Sequence, residues 1–136
     1  MRTIVILVLL VHGIGHSMCL LAGTRVADSV EGWNLRSWLL TDRIGETATR
    51  WIGSALWAAA MIGFLVTALA LLDVLVPQDA WRALAVVSAA ISLVAMVLFL
   101  NAFAALFNQL GALAVNVITL VGLLVADWPS DADLGI

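Results

Sequence analysis

His12 and His16 stand four residues apart inside "LVLLVHGIGHSMCLLAG" (residues 7–23), and Cys19 follows three positions later. At 3.6 residues per helical turn the two imidazoles share one face, with the thiol within about 60° of them. Imidazole and thiolate are transition-metal ligands, so His12, His16 and Cys19 form a candidate metal set. It offers three donors where a closed zinc site takes four, and the chain has no other histidine to complete it. The same groups suit three further roles. The reading taken is structural, neutral imidazoles hydrogen-bonding across the helices of a non-enzymatic bundle or membrane-complex subunit; the alternative makes them polar handles for a lipid-soluble ligand such as a quinone, haem or lipid headgroup. One of them can also serve as a general base, although no Ser-His-acid set or carboxylate pair lies on the apolar segments to support catalysis. No catalytic residue is therefore assigned. Gly13 and Gly15 beside the pair keep the helix surface low, so that a neighbouring helix or a flat ligand can approach the backbone.

Asn116, in the last apolar segment, needs company as well. An amide facing hydrocarbon leaves two donors and an acceptor unpaired, at a cost of several kcal/mol (roughly 4–8 by water-to-alkane transfer). The expected partners are His12 and His16, with Thr67, Ser88 and Ser92 as further hydrogen-bonding groups. His12, His16, Asn116, Gly13 and Gly15 thus make up the candidate ligand-binding or polar cluster. Asp73 is read as a solvated acid, with pairing to Arg82 as the other option.

The elements that must position these groups follow from composition. With 136 residues, 64% of them hydrophobic and 11% charged, and a mean hydropathy of +1.14, the chain is built for lipid. A span takes about 20 apolar residues, so the length suits one all-α domain, an integral membrane four-helix bundle over residues 1–136. The spans read as about 3–21, 49–75, 81–100 and 107–126, with Pro77 stopping the second. Between the first two, residues 24–50 mix Trp33, Leu35, Trp38, Leu39 and Leu40 with charge, as an interfacial segment does. Trp33, Trp38 and Trp51 fall near one expected boundary and Trp81 and Trp128 near the other, while Trp57 falls deeper, against lipid or inside the bundle.

Four crossings put both termini on one side with Arg2 and Arg82, against Arg25, Arg36, Arg43 and Arg50 on the other. Orientation follows basic residues, so the long loop is expected in the cytoplasm and both termini outside. The apolar stretch behind Arg2 reads as a retained signal-anchor helix. No basic run fits a nucleic-acid backbone, and a lone cysteine forms no intrachain disulfide. Lipid-embedded helices associate through small residues, here Ala55, Ala59, Gly63 and Thr67 on the second span, Ala85, Ser88, Ala89, Ser92 and Ala95 on the third, and Asn108, Ala112, Asn116 and Thr119 on the fourth. Small residues on several faces point to a homo-oligomer or a membrane-protein partner.

"HGIGHSMCLLAG" from His12, "LLTDRIGETATRWIGSALW" from Leu39 and "LGALAVNVITLVGLL" from Leu110 occur in that order. They resemble "HGLIHLLGF"-, "LTQPISRPLGLLWL"- and "GTIANLIIL"-like stretches of a group of small, uncharacterised bacterial four-helix membrane proteins. The resemblance implies four helices in the bacterial inner membrane and a shared polar interior that uses His12, Gly13, His16, Arg50 and Asn116. It brings no activity. This sequence departs from the group at "FNQL", where an acid usually stands, and in the spacing of its last asparagine.

Overall fold

The computed structural model describes residues 1–24, 36–100 and 106–136, and all of its regular elements there are helical. Helices α1 (Arg2–Gly15) and α2 (Ser17–Thr24) run on as one apolar rod, offset at His16, whose N–H reaches back to the Gly13 carbonyl. A short α3 (Thr41–Ile44) precedes the long α4 (Glu46–Leu71). A 3-10 turn at Gln78–Ala80 leads into α5 (Trp81–Leu98). Helix α6 (Leu106–Val121) continues as a π turn at Gly122–Ala126, and α7 (Asp131–Leu134) ends the chain. Four segments, Arg2–Thr24, Glu46–Leu71, Gln78–Leu98 and Phe107–Ala126, are long and apolar enough to cross a membrane, with mean hydropathies of 2.0 to 2.3.

The second span was expected to reach residue 75, but α4 stops at Leu71, well before Pro77. Asp73 takes a left-handed conformation (φ 58°), its N–H bonds to Ala70 O and that of Val74 to Leu69 O, which is the Schellman pairing with Asp in the usual glycine position. The Leu71 carbonyl is covered by the Arg2 guanidinium at 2.7 Å and the Gln78 amide at 3.3 Å. The helix thus ends where its last carbonyls find other donors.

Consecutive long helices pack side by side, α1 and α2 on α4, α4 on α5, and α5 on α6. Two apolar clusters form. Ile6, Leu9, Phe64, Leu71, Trp81 and Leu134 fill one end, and Cys19, Trp57, Ala95, Met96 and Phe99 fill the other. Trp57 therefore packs inside, and Trp81, at the first residue of α5, is buried as well. Of the interfacial segment, residues 25–35, with Arg25, Trp33 and Leu35, lie outside the described residues. In the part that is described, Ser37 and Thr41 are buried, and Trp38 stays exposed while its Nε1 donates to Val97 O at 2.7 Å.

The expected α4 seam holds only in its second half, since Thr67 is buried while Ala55 and Ala59 are exposed. A strict four-residue repeat drifts about 40° per step on a 3.6-residue helix, so it leaves the interface within a few turns. The buried row instead runs Gly53, Trp57, Ala60, Phe64, Thr67 and Leu71, alternating steps of three and four as coiled-coil seams do. On α5 the expected row Ala85, Ser88, Ala89, Ser92 and Ala95 is buried throughout.

The tail is held by charge. Arg82 Nη2 lies 2.8 Å from Asp127 and 2.9 Å from Pro129 O, and its Nε lies 3.7 Å from Asp131, so Arg82 pairs with the tail and not with Asp73. Ser130 caps α7 reciprocally with Asp133, whose carboxylate accepts from the Ser130 N–H (2.9 Å) and hydroxyl (2.8 Å). The Ser130 backbone bond, then its hydroxyl, lower the Asp133 pKa below the usual carboxylate value. A carboxyl whose folded pKa lies below its unfolded one contributes stability above the unfolded value, and that contribution is lost as pH falls through the folded value. The cap should stay intact through neutral pH and open only in acid below the ordinary carboxylate range. An NMR titration of the Ser130 amide should show this transition, and Asp133→Asn should abolish it.

Candidate functional site

Between the two apolar clusters lies a polar layer whose proton positions follow from one bond. His16 Nδ1 is 2.8 Å from the His12 carbonyl oxygen, which can only accept, so Nδ1 carries the proton and Nε2 of the neutral ring is an acceptor. The Ser92 hydroxyl, 2.7 Å away, donates to that Nε2. Ser92 Oγ in turn accepts from Asn116 Nδ2 at 2.7 Å, which orients the amide with its oxygen towards His12. His12 Nε2 then donates to Asn116 Oδ1 at 3.0 Å. Four bonds run head to tail from His12 through Asn116, Ser92 and His16 back to the His12 carbonyl. The Asn116 amide nitrogen also lies 3.3 Å from Met96 Sδ.

Each part of this circuit comes from a different long helix. The two imidazoles sit at the end of α1 and its cap, Ser92 on α5 and Asn116 on α6. Helix α4 adds the aromatic wall. Phe64 meets the His12 ring edge-on at 4.7 Å, and Trp57 meets His16 at 5.3 Å. Ser92 and Asn116 are fully buried and His16 nearly so, whereas His12 keeps some exposure.

The expected residues divide here. The structure brings His12, His16 and Asn116 together, and selects Ser92 from the three hydroxyls considered. Thr67 and Ser88 instead bond to carbonyls four residues back in their own helices, Gly63 O at 2.8 Å and Leu84 O at 2.6 Å. The metal set is not assembled. Among the described residues no three His, Cys, Asp or Glu side chains are placed to hold an ion. Both His16 nitrogens are engaged, and Cys19 is packed with Trp57, Ala95, Met96 and Phe99. Arg50 donates to Gly23 O at 3.3 Å, closing the end of α2 rather than entering the layer.

The two glycines also part company. A Cβ on Gly13 would lie 3.0 Å from Phe64 Cβ and 3.4 Å from Met61 O, so this glycine lets α1 press against α4. A Cβ on Gly15 would meet nothing within 4 Å. Gly15 borders a cleft of about 620 Å³ between α1–α2 and α6, walled also by His12, Trp57, Phe107, Asn108 and Gly111. Gly111 is likewise open. His12 Nε2 is taken by Asn116 and no hydrogen bond to Nδ1 is found among the described residues, so the ring that lines the cleft keeps one acceptor for an occupant. Asn108 was expected only in a packing row, and Phe107 and Gly111 were not singled out. Their role depends on α6 standing away from α1, which sequence periodicity does not encode.

Comparison with protein-family models, with curated proteins and with solved structures finds no match to this chain. The site's own geometry therefore carries the functional argument.

Proposed function

We propose that this chain is a multi-pass integral membrane protein that holds a lipid-soluble molecule in the cleft between its first and fourth long helices. Four apolar helices support the membrane reading, as do the apolar outer faces, where Val11, Ile14, Trp51, Ile62, Leu124 and Val125 are exposed. The Arg distribution favours a cytoplasmic long loop with both termini outside, and the resemblance to small bacterial proteins favours the inner membrane.

One observation carries the ligand reading, namely that the polar circuit satisfies His16, Ser92 and Asn116 but leaves His12, whose ring lines an apolar cleft, with one acceptor for an occupant. Such a cleft, with few polar groups to fix orientation, is the common form of a small-molecule site. A bundle or complex subunit that binds nothing accounts for the circuit but not for the cleft. The test is mass spectrometry and absorption spectroscopy of the organic extract of full-length protein purified in mild detergent. A stoichiometric lipid-soluble species is expected. A blank extract from folded protein returns the purely structural reading.

A further inference from the structure

From the shape and chemistry of the whole crevice we infer that its occupant is a neutral, single-tailed lipid whose ring head carries a hydroxyl that donates to His12 Nδ1. This deepens the ligand reading above and rests on it. The cleft does not end at His12. A second, smaller cavity of about 270 Å³ lies towards the opposite end, between Ile4, Val5 and Leu9 on α1 and Ile118 on α6 with Leu123 of the π turn that follows it. Val8 and Val115 line both, so the two adjoin at that level. From Phe107 to Leu123 the crevice follows α6 for about 24 Å, most of the roughly 30 Å thickness of a bilayer's hydrocarbon.

Volume and polarity fall together from one cavity to the other. The larger cavity holds His12 and Asn108, and its walls are flattened by Gly15 and Gly111, where no side chain opposes a planar group. The smaller one is lined almost wholly by apolar and aromatic side chains, with Thr119 the exception, and this suits a tail. No Arg, Lys, Asp or Glu lines either part, so a charged head would lie in an apolar crevice without a counter-charge. The donor requirement follows from the circuit, because His12 uses its one N–H on Asn116 and has only an acceptor left.

Saturable binding of a radiolabelled long-chain alkylphenol and of its O-methyl ether to the full chain in phosphatidylcholine nanodiscs tests this. The phenol should bind about tenfold tighter than the ether, the worth of one net hydrogen bond. His12→Gln keeps an amide N–H near the Nε2 position for Asn116 but lacks Nδ1, and it should bring the phenol down to the ether's affinity. Gly111→Leu, which meets no neighbour at its Cβ, should abolish binding of both while leaving thermal stability unchanged or raised. Equal binding of phenol and ether overturns the donor assignment and leaves the ligand reading standing. Undiminished binding to folded Gly111→Leu overturns the placement in this crevice. No saturable binding of either probe overturns the inference, whereas only a blank organic extract from folded protein overturns the reading beneath it.

Discussion

Ser92→Ala should lower the unfolding free energy by about 2 kcal/mol, whereas Ser88→Ala, one turn away on the same helix, should change it by less than about 0.5 kcal/mol. Both serines are buried and both look alike in sequence. The Ser88 hydroxyl is spent on its own helix, so its removal orphans only the Leu84 carbonyl, which keeps its place in the helical ladder. Ser92 is the node of the circuit, donating to His16 and accepting from Asn116.

Two effects set the magnitude. Interhelical hydrogen bonds in membranes average about 0.6 kcal/mol, which gives little more than 1 kcal/mol for the two lost. Leaving His16 Nε2 and one Asn116 N–H buried without a partner costs about 1–3 kcal/mol for each group. The second effect should dominate, because both residues are buried, packed against Trp57, Phe64 and Met96. Reversible unfolding in mixed micelles measures the pair of variants side by side. Equal, small losses for both serines would show the layer to be solvated from the cleft, and the circuit would then not be what fixes the bundle.

The contrast between these serines shows how far sequence carries the argument. Hydropathy and length placed four apolar helices, because the demand that backbone groups be satisfied within a helix acts on every residue of such a segment. The need of Asn116 for a buried partner was likewise legible, since an amide in an apolar helix has few affordable surroundings. Which hydroxyl would join it was not. Ser88, Ser92 and Thr67 share the same local pattern, and the choice rests on the rotation of α5 against α1 and α6. The early end of α4 was also hidden. Pro77 was the visible stop, whereas the actual one uses Asp73 in a left-handed turn together with Arg2 and Gln78 brought in from other elements. The cleft was the least legible feature, being a space left beside the His12–Asn116 bond where α6 stands off from α1.

Gly13→Val should destabilise the fold by about 3 kcal/mol, while Gly15→Ala, two residues on, should stabilise it by up to about 1 kcal/mol. Sequence gives both glycines the same role, and helix propensity predicts a gain from replacing either. At Gly13 that gain is overwhelmed. Its added Cβ would meet the Phe64 Cβ and the Met61 carbonyl, which belong to the body of α4 and cannot rotate away as a flexible side-chain tip would. Helix α1 must move instead, and it carries both histidines, one residue before and three residues after the substitution. Overpacking of about 1–3 kcal/mol is then joined by stretching of the His12–Asn116 and His16–Ser92 bonds. At Gly15 the new methyl enters open cleft, so only the backbone effect remains. Thermal unfolding in detergent gives the two signs directly. A tenfold-diluted nanodisc binding assay should separate them again, since Gly15→Ala narrows the crevice in a protein that is otherwise more stable. Destabilisation by both substitutions would mean that α6 closes on α1 at Gly15, and the crevice would be lost as a site.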